Sequence, residues 1–224
     1  MQYRHEIKTQ INYPDMIAIR QRMKAIARSD PHAPDGSYLI RSLYFDTPEN
    51  KALCEKQSGI NKRHKFRIRC YNNDTSFIKL EKKIKIGNLG TKIYAELSKE
   101  EAESIVNGDI EWMSDSNDEL IKELCYRMRS ERLKPKTIVD YTREPFIFDP
   151  GNVRVTLDYD IRVGFEPKDF FNARSVTLPS TPGITVMEVK WDNFLPAIIR
   201  DAVLIPASRS GSFSKYEACA ITYR

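Results

Sequence analysis

The sequence predicts an α+β fold, and three observations carry that expectation. About seven or eight short segments alternate polar and apolar residues with the period of two expected of a half-buried strand. Three other segments repeat apolar residues at helical spacing. Charge is sorted between the two kinds of segment. Residues 60–92 carry ten Lys and Arg against only Asp74 and Glu81, whereas residues 96–119 carry nine Asp and Glu against Lys99 alone.

The elements follow in chain order. Arg4, Glu6 and Lys8 share one face of a first strand. A helix is predicted over 14–28, with Pro14 tolerated in its first turn and Ile17, Met23 and Ile26 turned inward. Residues 38–46 read as a strand that stops at Thr47-Pro48. In 63–71, Arg63, Lys65, Arg67, Arg69 and Tyr71 oppose His64, Phe66, Ile68 and Cys70. In 77–86, Lys79, Glu81, Lys83 and Lys85 oppose Ile78, Leu80, Ile84 and Ile86. Asn72-Asn73-Asp74 between them is turn chemistry, so these two strands form a hairpin.

Ser98-Lys99-Glu100-Glu101 is a capping box that opens a short helix closed by Asn107-Gly108. A further helix covers about 117–129, with Leu120, Ile121, Leu124, Cys125 and Met128 on one face. Strands follow at 137–148, with Tyr141 and Arg143 on one face, and at 152–163, where Arg154, Thr156, Asp158 and Asp160 oppose Val153, Val155, Leu157 and Ile161. The last strand, 184–191, sets Val186, Glu188 and Lys190 against Thr185, Met187 and Val189. Two Pro/Ser/Gly-bearing loops fall at 164–183 and 206–214.

Two architectures fit such half-charged strands. An open sheet turns its charged face to water and its apolar face to helices. A closed barrel lines its lumen with the charged face and packs the helices outside. The charged faces are dominated by Lys and Arg rather than by a Thr, Ser, Lys and Glu mixture. Lys65, Arg67 and Arg69 beside Lys79 and Lys83 would repel one another on a bare face, and a bound polyanion would remove that cost. The alternation alone leaves both architectures open.

At 224 residues the chain suits one domain, 1–224, with enough length to bury a core. Its 30% charged residues and net charge of +5 exclude a histone-like polybasic protein, and its 10% aromatic residues exclude disorder. No apolar run is long enough to span a membrane, and the N-terminus lacks a signal pattern. Cys54, Cys70, Cys125 and Cys219 are widely spaced and read as reduced thiols, which favours a cytoplasmic protein. His5, His32 and His64 have no metal-ligand spacing, and no Gly-rich nucleotide loop occurs. No nucleic-acid partner is expected, because Phe66 lies on the face opposite the arginines.

Several segments, taken in order, resemble the vacuolar transporter chaperone (VTC) domain, the polyphosphate polymerase branch of the triphosphate tunnel metalloenzymes related to CYTH proteins. They are Tyr3-Arg4-His5-Glu6-Ile7-Lys8, Arg41-Ser42-Leu43-Tyr44-Phe45-Asp46-Thr47, Lys65-Phe66-Arg67-Ile68-Arg69-Cys70-Tyr71 and Leu80-Glu81-Lys82-Lys83. Tyr141-Thr142-Arg143, Val153-Arg154-Val155-Thr156-Leu157-Asp158, Met187-Glu188-Val189-Lys190 and Phe213-Ser214-Lys215-Tyr216 complete the set, which covers nearly the whole chain. The resemblance implies an antiparallel β-barrel tunnel of about eight strands with a cationic lumen and helices outside. It also implies transfer of the γ-phosphate of ATP to growing polyphosphate, with Mn²⁺ or Mg²⁺. By motif position, Lys8, Arg67, Arg69, Lys83, Arg143 and Lys215 would act on the transferred phosphate. Lys65, Lys92, Tyr141, Arg154, Lys190 and Ser214 would bind phosphates, and Glu188, with Glu6 as a second ligand, would hold the metal.

One departure bears on activity. CYTH triphosphatases carry E-x-E-x-K on the first strand, and here the run is Arg4-His5-Glu6-Ile7-Lys8. A hydrolase needs carboxylates for metal and water, so losing one favours transfer between phosphates. A tripolyphosphatase or a non-catalytic polyphosphate- or nucleotide-binding module is the alternative. The SPX and transmembrane regions of the fungal proteins are absent from this sequence, so any membrane coupling would require a separate partner. Phosphoryl transfer to an ionised phosphate needs positioning and charge rather than a general base, which fits a site of Arg, Lys and metal. Glu81 reads as a charge-balancing partner, Arg4 as a rim residue, and Tyr44 and Trp191 as wall packing. Asp158 reads as the salt-bridge partner of a neighbouring Arg, and Ser210-Gly211-Ser212 as a flexible loop.

Overall fold

The computed structural model describes residues 4–33, 35–87, 89–205 and 213–222. Tyr3 and Ser210-Gly211-Ser212 therefore lie outside the described residues. The strands are β1 (His5–Ile11), β2 (Arg28–Ser29), β3 (Tyr38–Asp46), β4 (Lys62–Tyr71), β5 (Asp74–Ile86), β6 (Leu89–Leu97), β7 (Lys134–Phe148), β8 (Val153–Gly164), β9 (Leu178–Pro179) and β10 (Thr185–Trp191). The helices are α1 (Tyr13–Ile26), α2 (Lys51–Gln57), α3 (Lys99–Asn107), α4 (Glu119–Ser130), α5 (Ala197–Ala202) and α6 (Lys215–Thr222).

All ten strands belong to one antiparallel sheet. Eight follow the order β1-β10-β8-β7-β3-β4-β5-β6, with β2 beside β7 and β9 beside β8. The two ends of that order nearly meet. Arg4 N–H donates to Gly90 O at 3.4 Å, the single bridge described between them. Antiparallel strands that touch at their first residues diverge from there, so β1 and β6 form no ladder. The expected barrel is thus a wrapped sheet with a seam rather than a fully closed ring.

Local chemistry explains the elements. Asn72 and Asn73 both have positive φ, 51° and 57°, which makes a two-residue primed turn between β4 and β5. Asn12 caps α1 by accepting from Asp15 N–H, and Ser98 and Glu101 complete the capping box of α3. Met23 is buried in α1 together with Met16 and Ile19, while Ile17 and Ile26 are half-buried and pack against the same core. The sequence reading places no strand at Leu89–Leu97 and no helix at α2, α5 or α6.

The apolar faces of the strands point outward and are covered by helices. Phe66, Ile68, Ile78, Leu80, Ala95 and Leu97 pack against α3 and α4. Val153, Val155, Leu157, Met187 and Val189 pack against α1 and α5. Each fully buried side chain of this size contributes about 2 kcal/mol. The outer layer thereby fixes the polar faces of the same strands toward the interior. At one end of the interior, α6 inserts Tyr216, which stacks on Tyr44 at 5.1 Å and donates its hydroxyl to buried Asp46. Asp46 also accepts from the N–H groups of Ala52 and Leu53, so one carboxylate anchors both α2 and α6.

Candidate functional site

The inward faces enclose a cavity of about 690 Å³. Among the described residues, fourteen Lys and Arg side chains line it against two carboxylates, Glu6 and Glu188. Every site residue nominated from the sequence lies on its wall: Glu6, Lys8, Lys65, Arg67, Arg69, Lys83, Lys92, Tyr141, Arg143, Arg154, Glu188, Lys190, Ser214 and Lys215. Strand register explains the convergence. Residues facing one another across a ladder share a face, and Lys8–Glu188–Thr156, Glu6–Lys190–Arg154, Arg67–Glu81 and Lys83–Lys92 are such sets.

Three groups of charge form the wall. In the first, Lys8 Nζ lies 2.8 Å from Glu6 and 3.9 Å from Glu188, and Lys83 Nζ lies 3.3 Å from Glu6. Lys190 pairs with both carboxylates. Burial opposes charge on Lys8, but Glu188 and Glu6 overcome it and raise its pKa. Lys83 is displaced the other way, well below the usual lysine value, by neighbouring Lys8 and by burial. Burial works against the Glu188 carboxylate, yet Lys190, Lys8 and Lys83 hold its pKa well below the usual range.

In the second group Glu81, fully buried, accepts from Arg67 Nε at 2.7 Å and Lys92 Nζ at 2.8 Å, with Arg69 Nη1 at 3.8 Å. Arg67 also donates to the Tyr44 hydroxyl at 2.8 Å, and Arg69 to Ser42 Oγ and the Tyr141 hydroxyl. Glu81 is the charge-balancing residue the sequence indicated. In the third group Arg143 grips Asp158 through two bonds, 2.7 and 2.8 Å, and Lys215 Nζ lies 2.6 Å from the same carboxylate. Burial opposes the Asp158 charge, but Arg143 and Lys215 bring its pKa down to about 2.

Two cations stand apart. Arg154 donates Nη2 to buried Asp30 at 2.6 Å and to the Tyr38 hydroxyl at 3.0 Å. Lys65 forms no ion pair among the described residues. Its ammonium donates to Ser214 Oγ at 3.3 Å and sits over the Tyr216 ring, and burial pushes its pKa down to about 8. Arg4, on the rim, pairs with Asp192 at 2.7 Å. Lys56, Arg63, Lys85 and Phe213 also line the cavity without having been nominated. Lys56 is carried by α2, which the sequence did not reveal. Arg63 and Lys85 were visible on charged strand faces. Lys79 shares such a face but lies off the cavity, between Phe77 and Tyr94 at 4.3 Å from each ring.

A single antiparallel sheet wrapped around a cationic interior, with helices on its outer face, defines a tunnel-fold protein. The chain matches the family model of the VTC domain over residues 3–223 and belongs to that family. Its fold is similar to that of several solved structures. One is a putative adenylyl cyclase from Hippeastrum described as having a dominant triphosphatase activity, with a TM-score of 0.50, 10% identity, and coverage of 85% of this chain and 79% of that one. Another is a putative adenylate cyclase from Bacillus halodurans, with a TM-score of 0.48, 17% identity, and coverage of 85% and 82%. At these identities the likeness concerns the fold alone. No curated protein sequence matches the chain. Among the described residues no helix is long and apolar enough to cross a membrane, and all four cysteines are free.

Proposed function

We propose that the protein is an ATP-dependent polyphosphate polymerase. A terminal phosphate oxygen of the growing chain attacks the γ-phosphorus of ATP, the bond to the β,γ-bridging oxygen breaks, and ADP leaves. The observation that carries this reading is the fourteen-to-two excess of cations over carboxylates in one cavity. Charge spread over the equatorial oxygens of a transferring phosphoryl group is met by such a set, and the attacking oxygen needs no base. Arg67, Arg69 and Arg143 offer forked donors, whereas Lys8, Lys83 and Lys215 act as point charges. Arg4, where a triphosphatase of this fold has a first carboxylate, is occupied by Asp192. That arrangement favours transfer over hydrolysis.

The donor set fits a divalent cation held partly by substrate. Glu188 and Glu6 share the Lys190 ammonium as a counter-charge and line the same cavity, so a cation entering there would meet two carboxylates side by side. Among the described residues no cluster of three or more His, Cys, Asp or Glu could hold a metal. Glu188 and Glu6 would hold Mn²⁺ or Mg²⁺ together with phosphate and water, and the bound ion would neutralise phosphate charge.

The test is incubation of the pure protein with ATP and Mn²⁺, followed by electrophoresis for long-chain polyphosphate. Orthophosphate as the sole product would replace the polymerase with a hydrolase, the activity described for the Hippeastrum protein. Tight binding of tripolyphosphate without turnover would leave a binding module.

A further inference from the structure

Two polar atoms on one patch of the cavity wall have no hydrogen-bond partner among the described residues, Thr156 Oγ1 and Arg154 Nε, and they lie beside Glu188. The sheet places them together. Glu188 stands opposite Thr156 and Lys190 opposite Arg154 across the β8–β10 ladder. Arg154 and Thr156, two residues apart on β8, share the inward face, and both line the cavity.

The three side chains differ in what holds them. Arg154 is fixed through Nη2 by Asp30 and Tyr38, which leaves Nε over. Glu188 keeps Lys190 and Lys8 as ion-pair partners. Thr156 has no charge, and its Oγ1 has no partner among the described residues, although the residue is only 4% exposed. A buried hydroxyl without a partner is disfavoured. A hydroxyl at this point is free to bond to something that enters the cavity.

We propose that Thr156 is a substrate-positioning residue. Its hydroxyl and the Nε–H of Arg154 donate to oxygens of one phosphate group of a bound polyphosphate, against the strand that carries Glu188. The assignment rests on the polyphosphate reading of the cavity and deepens it. Lysines attract a phosphate chain without fixing its register, whereas a hydroxyl bond is directional, so Thr156 sets where one phosphate stops.

The experiment is calorimetric titration of sodium tripolyphosphate, at fixed Mg²⁺, into the wild type, Thr156→Val and Thr156→Ser, with thermal denaturation of each free protein. Loss of one charge-assisted hydrogen bond should weaken binding by Thr156→Val about tenfold, with Thr156→Ser staying within about twofold of the wild type. The free Thr156→Val protein should melt no lower than the wild type, since no internal bond is lost. Unchanged affinity in Thr156→Val, equal weakening in Thr156→Ser, or a lowered melting temperature of free Thr156→Val would each overturn the assignment. A wild type that binds no tripolyphosphate would overturn the polyphosphate reading and this assignment with it. Parity between a binding wild type and Thr156→Val sinks the assignment alone.

Discussion

Lys215 Nζ lies 2.6 Å from Asp158 Oδ2, so the first residue of the last helix is tied to the middle of β8 by a fully buried carboxylate. Arg143 holds the same carboxylate through both of its oxygens. Asp158 therefore sets the positions of two cations on different elements.

Replacing Asp158 with Ala leaves Arg143 and Lys215 without their buried counter-charge. Breaking one side of such an arrangement costs about 3 kcal/mol, read as a shift of the urea midpoint at unchanged slope. Asp158 also predicts an acid limit. Its folded pKa lies below its unfolded value, so its contribution is fully present above the unfolded value of about 4. It fades as pH falls toward about 2. The Asp158→Asn variant should lack that part of the acid dependence.

Lys65 predicts the pH dependence of anion binding. Burial holds its pKa at about 8, and a bound polyanion favours the ammonium form. Affinity for tripolyphosphate should be greatest below pH 8 and decline as pH rises through that value. Titration in buffers of different ionisation heat should reveal proton uptake near that pH. Lys65→Arg, which stays charged, should flatten the profile; an unchanged decline would assign it to Lys83 instead.

Glu81 sets fold stability against anion affinity. It is the fully buried counter-charge of Arg67, Arg69 and Lys92. Glu81→Gln should destabilise the protein by about 3 kcal/mol while tightening tripolyphosphate binding, because three cations lose their internal partner. Thermal denaturation with and without tripolyphosphate separates the effects, and weaker binding in this variant would contradict the charge balance.

Glu188 predicts a split between binding and turnover. Glu188→Gln should abolish metal-dependent product formation and leave metal-free tripolyphosphate binding equal or tighter, since one of two cavity carboxylates is removed. Product assays and titrations on the same preparation decide it. Binding throughout should fall steeply with salt, as expected of ion release from a cationic site.

Much of the site was legible because a strand shows one face at a time. Once Arg67, Arg69, Glu188 and Arg154 fall on polar faces, only the direction of those faces remains open, and the apolar opposite faces settle it by packing on α1, α3, α4 and α5. What stayed hidden has physical reasons. β6 follows Gly87 and begins Leu89-Gly90, so its alternation was masked by turn chemistry. Helices α2, α5 and α6 have 7, 6 and 8 residues, too few turns for a periodic signal. Thr156 stood on a charged face, where a hydroxyl signals nothing until its lack of a partner is seen.

The single bridge between Arg4 and Gly90 makes the wall a belt rather than a hoop. A hoop has one girth, fixed by its ladders. A belt takes its girth from whatever spans the gap. Lys8 stands on the strand at one end of the belt and Lys92 on the strand at the other, and both face inward. A phosphate chain reaching both would act as the buckle, and the bore of the protein would then be set by its cargo.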